Sequence, residues 1–353
     1  MKEIVVTENR KLSVNDCEIP ECAEKEVLVR VDFSGLCGSD IPRIFHNGAH
    51  FYPVRLGHEF SGVITKTGSK VEKLQVGNRI SCIPLIPNRS TKEYRYGYPS
   101  LGKGYSFIGS RKAGGNAEYV TLPEECCFLL PEDVSSLEGA FFEPVTVGIH
   151  PILMAGGCKD KNVVILGVGT IGLLAMQSAI ALGAKTITAV DIDQKKLDLA
   201  KQLGADFTIK SDQINNAEVK TILEENSFDQ LILETAGVPQ TFLLALEIAG
   251  PRAQLALIGT IHKDFNLSWK EYDSILRKEI TIAGSWMNYS SPFPGEEWII
   301  AAELFKQKKI CIHPLIDCIV QAPDYIKKVL ELDGGPANGK IMLNWGRYDE
   351  THN

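Results

Sequence analysis

The chain has 353 residues, 44% hydrophobic and 23% charged, which calls for a folded globular protein, and at about 100–200 residues per domain it calls for two domains. Its net charge of −7 favours solubility and argues against non-specific nucleic-acid binding. Nine cysteines, an odd number with no C-x-x-C pair, fit buried thiols in a reduced, cytoplasmic setting better than a disulfide framework.

In chain order, residues 1–6 read as the start of a strand, without the cationic stretch and apolar core of a signal peptide. Residues 26–33 form the clearest strand of a mostly β first domain. That strand runs into Gly35-Leu36-Cys37-Gly38-Ser39-Asp40, where two glycines hold a thiol on a loop. A loop with histidines and aromatics spans residues 45–53. Gly57-His58-Glu59 then opens the pattern Gly57-His58-Glu59-x2-Gly62-x5-Gly68-x2-Val71. The glycines suit a tight turn, while imidazole and carboxylate are both good zinc donors, so the triplet alone leaves a buried turn and a metal site open. Residues 76–84 add strand and turn. Residues 85–110 carry Tyr94, Tyr96, Tyr98 and Tyr105 among prolines and glycines and read as a long irregular lobe. Its interleaved basic and aromatic residues, in an acidic chain, suit a packed or interface-forming loop better than a nucleic-acid stacking surface.

From about residue 148 strands and helices alternate. A buried strand at 162–166 leads into Gly167-Val168-Gly169-Thr170-Ile171-Gly172 and a helix at 173–182. A second strand, 185–190, ends at Asp191, followed by a helix at 194–203 and strands at 207–209, 230–233, 254–258 and 280–283. This alternation implies a parallel sheet covered on both faces. The uncharged run 163–184 approaches the roughly 20 residues of a spanning helix, but its β-branched start and glycine break describe strand, turn and buried helix, not a membrane span. Helices at 296–306 and 323–332 and a closing strand at 339–343 complete the chain. The expected division is 1–147, 148–287 and 288–353, in an α/β fold class.

A glycine run between a strand and a helix is the context of a dinucleotide site. Gly167 makes the turn, Gly169 admits the pyrophosphate, Gly172 allows close packing, and the helix start at Thr170 and Ile171 offers N–H groups to the phosphates. Asp191 suits the ribose hydroxyls and repels a 2′-phosphate, favouring NAD, while Lys195 and Lys196 leave some NADP tolerance open. Hydride transfer from an alcohol needs something to hold the developing alkoxide, and zinc is one solution. Cys37 and Glu143, the latter followed by Pro144, are candidate donors to join His58.

On these residues the chain resembles the zinc-dependent medium-chain dehydrogenases over essentially its whole length. Glu143-Pro144, where that family's alcohol dehydrogenases carry a cysteine, is similar to the polyol dehydrogenase branch, as are Pro42-Arg43-Ile44-Phe45, Asn47-Gly48-Ala49-His50 and the runs at 234–241 and 284–291. The resemblance implies a β-rich, chaperonin-10-like catalytic domain and a Rossmann domain, with the active site in the cleft between them. It implies one catalytic zinc on Cys37, His58 and Glu143, a fourth position for water or substrate, and Glu59 beside the metal as an outer or exchanging carboxylate. It also implies Ser39 against the substrate hydroxyl as the start of the proton path, and a homodimer or homotetramer. Two departures stand out. Pro42 occupies the place of a relay histidine, and the lobe at 85–106 lacks the four cysteines of a structural zinc, so no structural zinc is expected and the tyrosines are expected to hold the lobe. The implied substrate is a phosphorylated hexitol, with Arg43 and His50 as candidate contacts and Arg111, Lys112 and His46 either further candidates or plain surface residues. Two alternatives stay open: an unphosphorylated polyol or sugar acid such as sorbitol or a hexonate, and a zinc-free dinucleotide-binding relative, which would have no need of three metal donors.

Overall fold

In the computed structural model, which describes residues 1–346, strand Glu26–Gly35 is the spine of the first of two units. This unit comprises Met1–Glu143, Tyr289–Lys306 and the residues from Ile312 onward; residues 347–353, expected in the C-terminal segment, lie outside the described residues. Val27, Val29, Val31 and Phe33 point one way along the spine and are buried, as β-branched and aromatic residues at period two should be. The three valines pack with Phe60, Ile64, Ile80, Val120 and Leu122, and burying each such side chain contributes about 1.5–3 kcal/mol.

The spine belongs to a seven-stranded sheet with Glu59–Thr67 on one side and Lys340–Asn344 and Tyr119–Pro123 sharing the other. Both Glu59–Thr67 and Lys340–Asn344 run antiparallel to it, with Gly35 opposite Glu59 and also opposite Met342. This register has a direct consequence. The segment leaving the spine after Gly35, the segment entering at Gly57-His58 and the first residue of the closing strand, Lys340, all meet at one end of the sheet. Irregularities between Leu28 and Val29 and between Val31 and Phe33 sharpen the local twist of the pair.

The lobe after residue 85 is closed differently from the sequence expectation. Tyr96 and Tyr98 are 78% and 59% exposed, so they do not hold it. Strands Leu85–Ile86 and Ser106–Phe107 pair at its base, Thr91 caps the short helix Lys92–Arg95, and Asn88 donates from Nδ2 to the Lys103 carbonyl at 3.0 Å. Backbone and amide hydrogen bonds replace the expected aromatic packing, because only Tyr94 and Tyr105 lie partly buried, each under an arginine.

The second unit, Pro144–Asn288 with Gln307–Cys311, is built on a six-stranded parallel sheet. In space the strands run Phe207–Lys210, Thr186–Asp191, Asn162–Leu166, Leu231–Glu234, Gln254–Leu257, Thr281–Gly284. Numbered within the unit this is the doubly wound order, which reverses between Asn162–Leu166 and Leu231–Glu234 and so opens a crevice at their carboxyl ends. Leu231–Glu234 is buried throughout, as a central parallel strand requires. The uncharged run at 163–184 resolves into strand Asn162–Leu166, a turn and helix Thr170–Ala181. Among the described residues no helix is long and apolar enough to cross a membrane.

Candidate active site

The end of the sheet where Gly35, Glu59 and Lys340 converge carries the chemistry. Cys37 caps the short turn Gly38–Asp40, and its Sγ accepts from Ser39 N at 3.5 Å and from the Ser39 hydroxyl at 3.3 Å. His58 and Glu59 are 4% and 1% exposed, and one ligand atom each from Cys37, His58 and Glu59 lies within 4.8 Å of the others. Gly57 is required here. Its φ is +93°, and a Cβ would stand 2.5 Å from Asn116 Oδ1 and 2.7 Å from Ser34 Oγ. Gly35 is required for a different reason, since a Cβ there would meet Glu59 Oε2 at 2.7 Å. Phe107 sets its ring edgewise to His58 with centroids 5.6 Å apart.

The electrostatics fit a cation. Burial raises the Cys37 thiol well above its usual range, and Glu59, Asp40 and Glu143 push it further, with Lys340 alone working against them. Lys340 Nζ donates to both Glu59 oxygens, at 2.8 and 2.6 Å, and to the Leu36 carbonyl at 3.2 Å. Burial works against this ammonium, but Glu59, Cys37 and Glu143 hold it raised above its usual value. His58 Nδ1 is buried with no hydrogen-bond partner, 3.7 Å from Asp40 Oδ1. A thiol, an imidazole and a carboxylate thus lie in one group, with a single ammonium on the carboxylate, a donor set that suits a divalent metal such as zinc. Asp40, 1% exposed, is positioned to orient the imidazole through Nδ1, as carboxylates do behind metal-bound histidines.

The structure brings Cys37, His58 and Glu59 into one group. Glu143 lies outside that group, 8% exposed in the first turn of helix Phe142–Met154, but its charge acts on both Cys37 and Lys340. Sequence reasoning missed Lys340 and Asp40. A lone cation at the head of the apolar strand Lys340–Asn344 was the available signal for the first; nothing local marks the second.

Ser39 is exposed, and Arg43 donates from Nη1 to its carbonyl at 2.7 Å, to its hydroxyl at 3.1 Å and to Asp40 Oδ1 at 3.0 Å. Arg111 donates from Nε to His50 Nε2 at 3.3 Å. His46 instead lies beside Gly334, and Lys112 is exposed with its charge felt at Cys126.

In the second unit the glycine turn is built as dinucleotide turns are. Gly167 has φ +90° and donates to the Val190 carbonyl, and a Cβ on Gly172 would lie 2.0 Å from the Gly167 carbonyl oxygen. A Cβ on Gly169 would meet nothing within 4 Å, so open space faces the backbone where a pyrophosphate would approach. Helix Thr170–Ala181 has no side-chain cap, which leaves its first N–H groups available to an anion. Asp191 accepts from Val168 N at 2.8 Å and from Asp193 N at 3.0 Å, fixing its carboxylate at the end of strand Thr186–Asp191. Glu234 accepts from Ala236 N, Gly237 N and the Thr241 hydroxyl, folding the loop after the central strand.

A doubly wound unit with an open glycine turn, and a separate β-rich unit with a Cys–His–Glu group, together define a zinc-binding dehydrogenase. Residues 23–132 match the alcohol dehydrogenase GroES-like domain and residues 170–306 match the zinc-binding dehydrogenase domain. The chain belongs to this family of oxidoreductases, with a GroES-like domain and a Rossmann-like nucleotide-binding domain. It is 48% identical over 344 residues to galactitol 1-phosphate 5-dehydrogenase of Escherichia coli strain K12, covering 97% of this chain and 99% of that one. The crystal structure of galactitol-1-phosphate dehydrogenase from Escherichia coli superposes with a TM-score of 0.95 over 98% of this chain and 100% of that one, at 48% identity. More distant structures include a chain described as a zinc-binding dehydrogenase from Sinorhizobium meliloti 1021 bound to NADP (27% identity, 97% and 98% coverage, TM-score 0.85). Another is an alcohol dehydrogenase from Escherichia coli CFT073 complexed with NADH (25% identity, 98% and 99% coverage, TM-score 0.86).

Proposed function

We propose that the protein oxidises galactitol 1-phosphate at C5 to tagatose 6-phosphate, with NAD as hydride acceptor. The observation that carries this reading is 48% identity to galactitol 1-phosphate 5-dehydrogenase across 97% of the chain. Cys37, His58 and Glu143 are the proposed zinc ligands. Glu59, grouped with Cys37 and His58 but engaged on both oxygens by Lys340, would be the carboxylate beside them, as an outer or an exchanging ligand. Zinc bound there supplies a Lewis acid that lowers the pKa of the C5 hydroxyl.

The chain's own residues do the rest. Ser39 Oγ, exposed and hydrogen-bonded to the Cys37 sulfur, receives the hydroxyl proton and passes it outward. Arg43 fixes that serine through its carbonyl and hydroxyl oxygens. Pro42 leaves no relay histidine, so the proton leaves from Ser39 to water. The Gly167–Gly172 turn would hold NAD, with the Thr170 and Ile171 N–H groups for its phosphates and Asp191 for its ribose. The reaction balances as one hydride to NAD and one proton to solvent, leaving a ketone at the oxidised carbon. A single catalytic zinc per chain, a cytoplasmic setting and a homodimer or homotetramer complete the proposal. The test is turnover of galactitol 1-phosphate with NAD by protein whose zinc content is measured. About one zinc per chain with turnover supports the reading; metal-free protein that never met a chelator, or no oxidation of this substrate, sinks it.

A further inference from the structure

Arg111 is held in place by contacts that leave its charge uncompensated. Its Nε donates to His50 Nε2 at 3.3 Å and its Nη1 to the Tyr105 carbonyl at 3.0 Å, while the guanidinium lies over the Tyr105 ring, 4.4 Å from the centroid. Among the described residues no carboxylate pairs with it. A planar cation oriented by an imidazole, a carbonyl and a ring face keeps Nη2 free and has little rotamer freedom left to lose on binding.

A second arginine, Arg43, reaches His50 through its charge. Arg43 is 20% exposed at its side chain, and its Nη1 is taken up by Ser39 and Asp40, which leaves Nη2 unused. Its position is tied to the chemistry, since Nη1 is 3.1 Å from Ser39 Oγ, which is itself 3.3 Å from Cys37 Sγ. Desolvation, then Arg111 and Arg43, push the imidazole of His50 below its usual pKa. The two arginines are the charged groups that act on it. Two guanidiniums act on one imidazole, and only Arg43 is paired with a carboxylate, Asp40, an arrangement that a dianion completes.

We propose that Arg111, His50 and Arg43 form the phosphate subsite, with the phosphate set off from Ser39 and Cys37 along the substrate chain. This rests on the reading of the substrate as a polyol phosphate and assigns the residues that read it. The subsite also makes phosphate binding proton-linked, since a dianion beside His50 favours the imidazolium, whose Nε2 then gives up accepting from Arg111 Nε and becomes a donor.

The experiment is an NMR titration of the His50 imidazole in the zinc-loaded, full-length protein, with inorganic phosphate as the probe, alongside kcat/KM for galactitol 1-phosphate and galactitol. Saturating phosphate should raise the His50 pKa by about one unit. Arg111→Met should raise the ligand-free pKa, abolish the phosphate response and lower the ratio of the two kcat/KM values by about 10- to 100-fold, mainly through KM for the phosphorylated substrate. Should Arg111→Met fold poorly, Arg111→Lys carries the test: it keeps a charge but not the fork, and should recover part of the ratio. A His50 pKa indifferent to phosphate, or an Arg111→Met enzyme with an undiminished ratio, overturns the subsite. The two failures are separable. If the wild-type enzyme prefers galactitol 1-phosphate but Arg111→Met keeps that preference, the substrate reading stands and the subsite falls. If phosphate moves His50 but the wild-type enzyme has no such preference, the anion site stands and the substrate reading falls.

Discussion

Lys340 Nζ lies 2.8 and 2.6 Å from the two carboxylate oxygens of Glu59, and the two side chains are 6% and 1% exposed. A buried pair of this kind adds little over an apolar pair of the same shape, but removing one member strands the other's charge. Lys340→Met should therefore destabilise the metal-free protein by about 3–5 kcal/mol, read as a shift in the urea midpoint. Zinc loading should recover part of that loss by giving Glu59 a new counter-charge, and Lys340→Arg should be much milder. A metal-free Lys340→Met protein as stable as wild type would show that Glu59 is not ionised beside it.

Asp40 acts on the metal group through His58, 3.7 Å from its Nδ1, and also anchors Arg43 at 3.0 Å. Asp40→Asn should cost about 10- to 100-fold in zinc affinity, the range found for groups that orient metal-bound histidines. Competition with a chromophoric chelator measures it directly. The same assay separates the two carboxylates: Glu143→Gln should weaken zinc more than Glu59→Gln, and the reverse order would make Glu59 the resident ligand.

How far this site could be read in the sequence depended on where each partner lies. His58 and Glu59 were visible because they sit together in a glycine pattern, and Cys37 because two glycines flank it. Lys340 was not, because its role comes from a strand register across the sheet, Met342 opposite Gly35, which no local pattern encodes. In the second unit the strands were legible from their β-branched runs. Helices Ala217–Glu225, Pro239–Ile248 and Trp269–Arg277 were not, although Ser268 and Glu271 form a capping box that could have announced the last. Helix Phe142–Met154 hid behind Pro144, Gly148 and Pro151, residues that normally punctuate loops. The lobe's tyrosines misled because aromatic content was read as packing, whereas Tyr96 and Tyr98 face outward.

Asp191 is fixed by Val168 N and Asp193 N, so its carboxylate is ordered where a ribose would meet it. Asp191→Ala should lower kcat/KM for NAD by about 10- to 100-fold, the worth of one charge-assisted hydrogen bond, and should improve the relative use of NADP. Steady-state kinetics with both cofactors check it, and an unchanged preference would remove Asp191 from the discrimination.

Glu234 gives a pH signature of the second unit. Burial raises its carboxyl above the usual 4.5, with hydrogen bonds from Thr241, Gly237 and Ala236 pulling the other way. A carboxyl with a raised folded pKa binds its proton more tightly in the folded state. Its contribution to stability is therefore full below 4.5 and is lost as pH rises through the folded value. Glu234→Gln keeps an acceptor at Oε1 and does not titrate. Its stability relative to wild type should rise as pH increases above 4.5, measured by urea unfolding at a series of pH values. Parallel profiles would mean that Glu234 titrates normally.

The central claim is that a zinc dehydrogenase scaffold here acts on a polyol phosphate. The most direct measurement is kcat/KM for galactitol 1-phosphate against free galactitol, with NAD and zinc-loaded protein. Two charge-assisted contacts at about 1.5 kcal/mol each should favour the phosphorylated substrate by at least about 100-fold. A ratio near one would contradict the account.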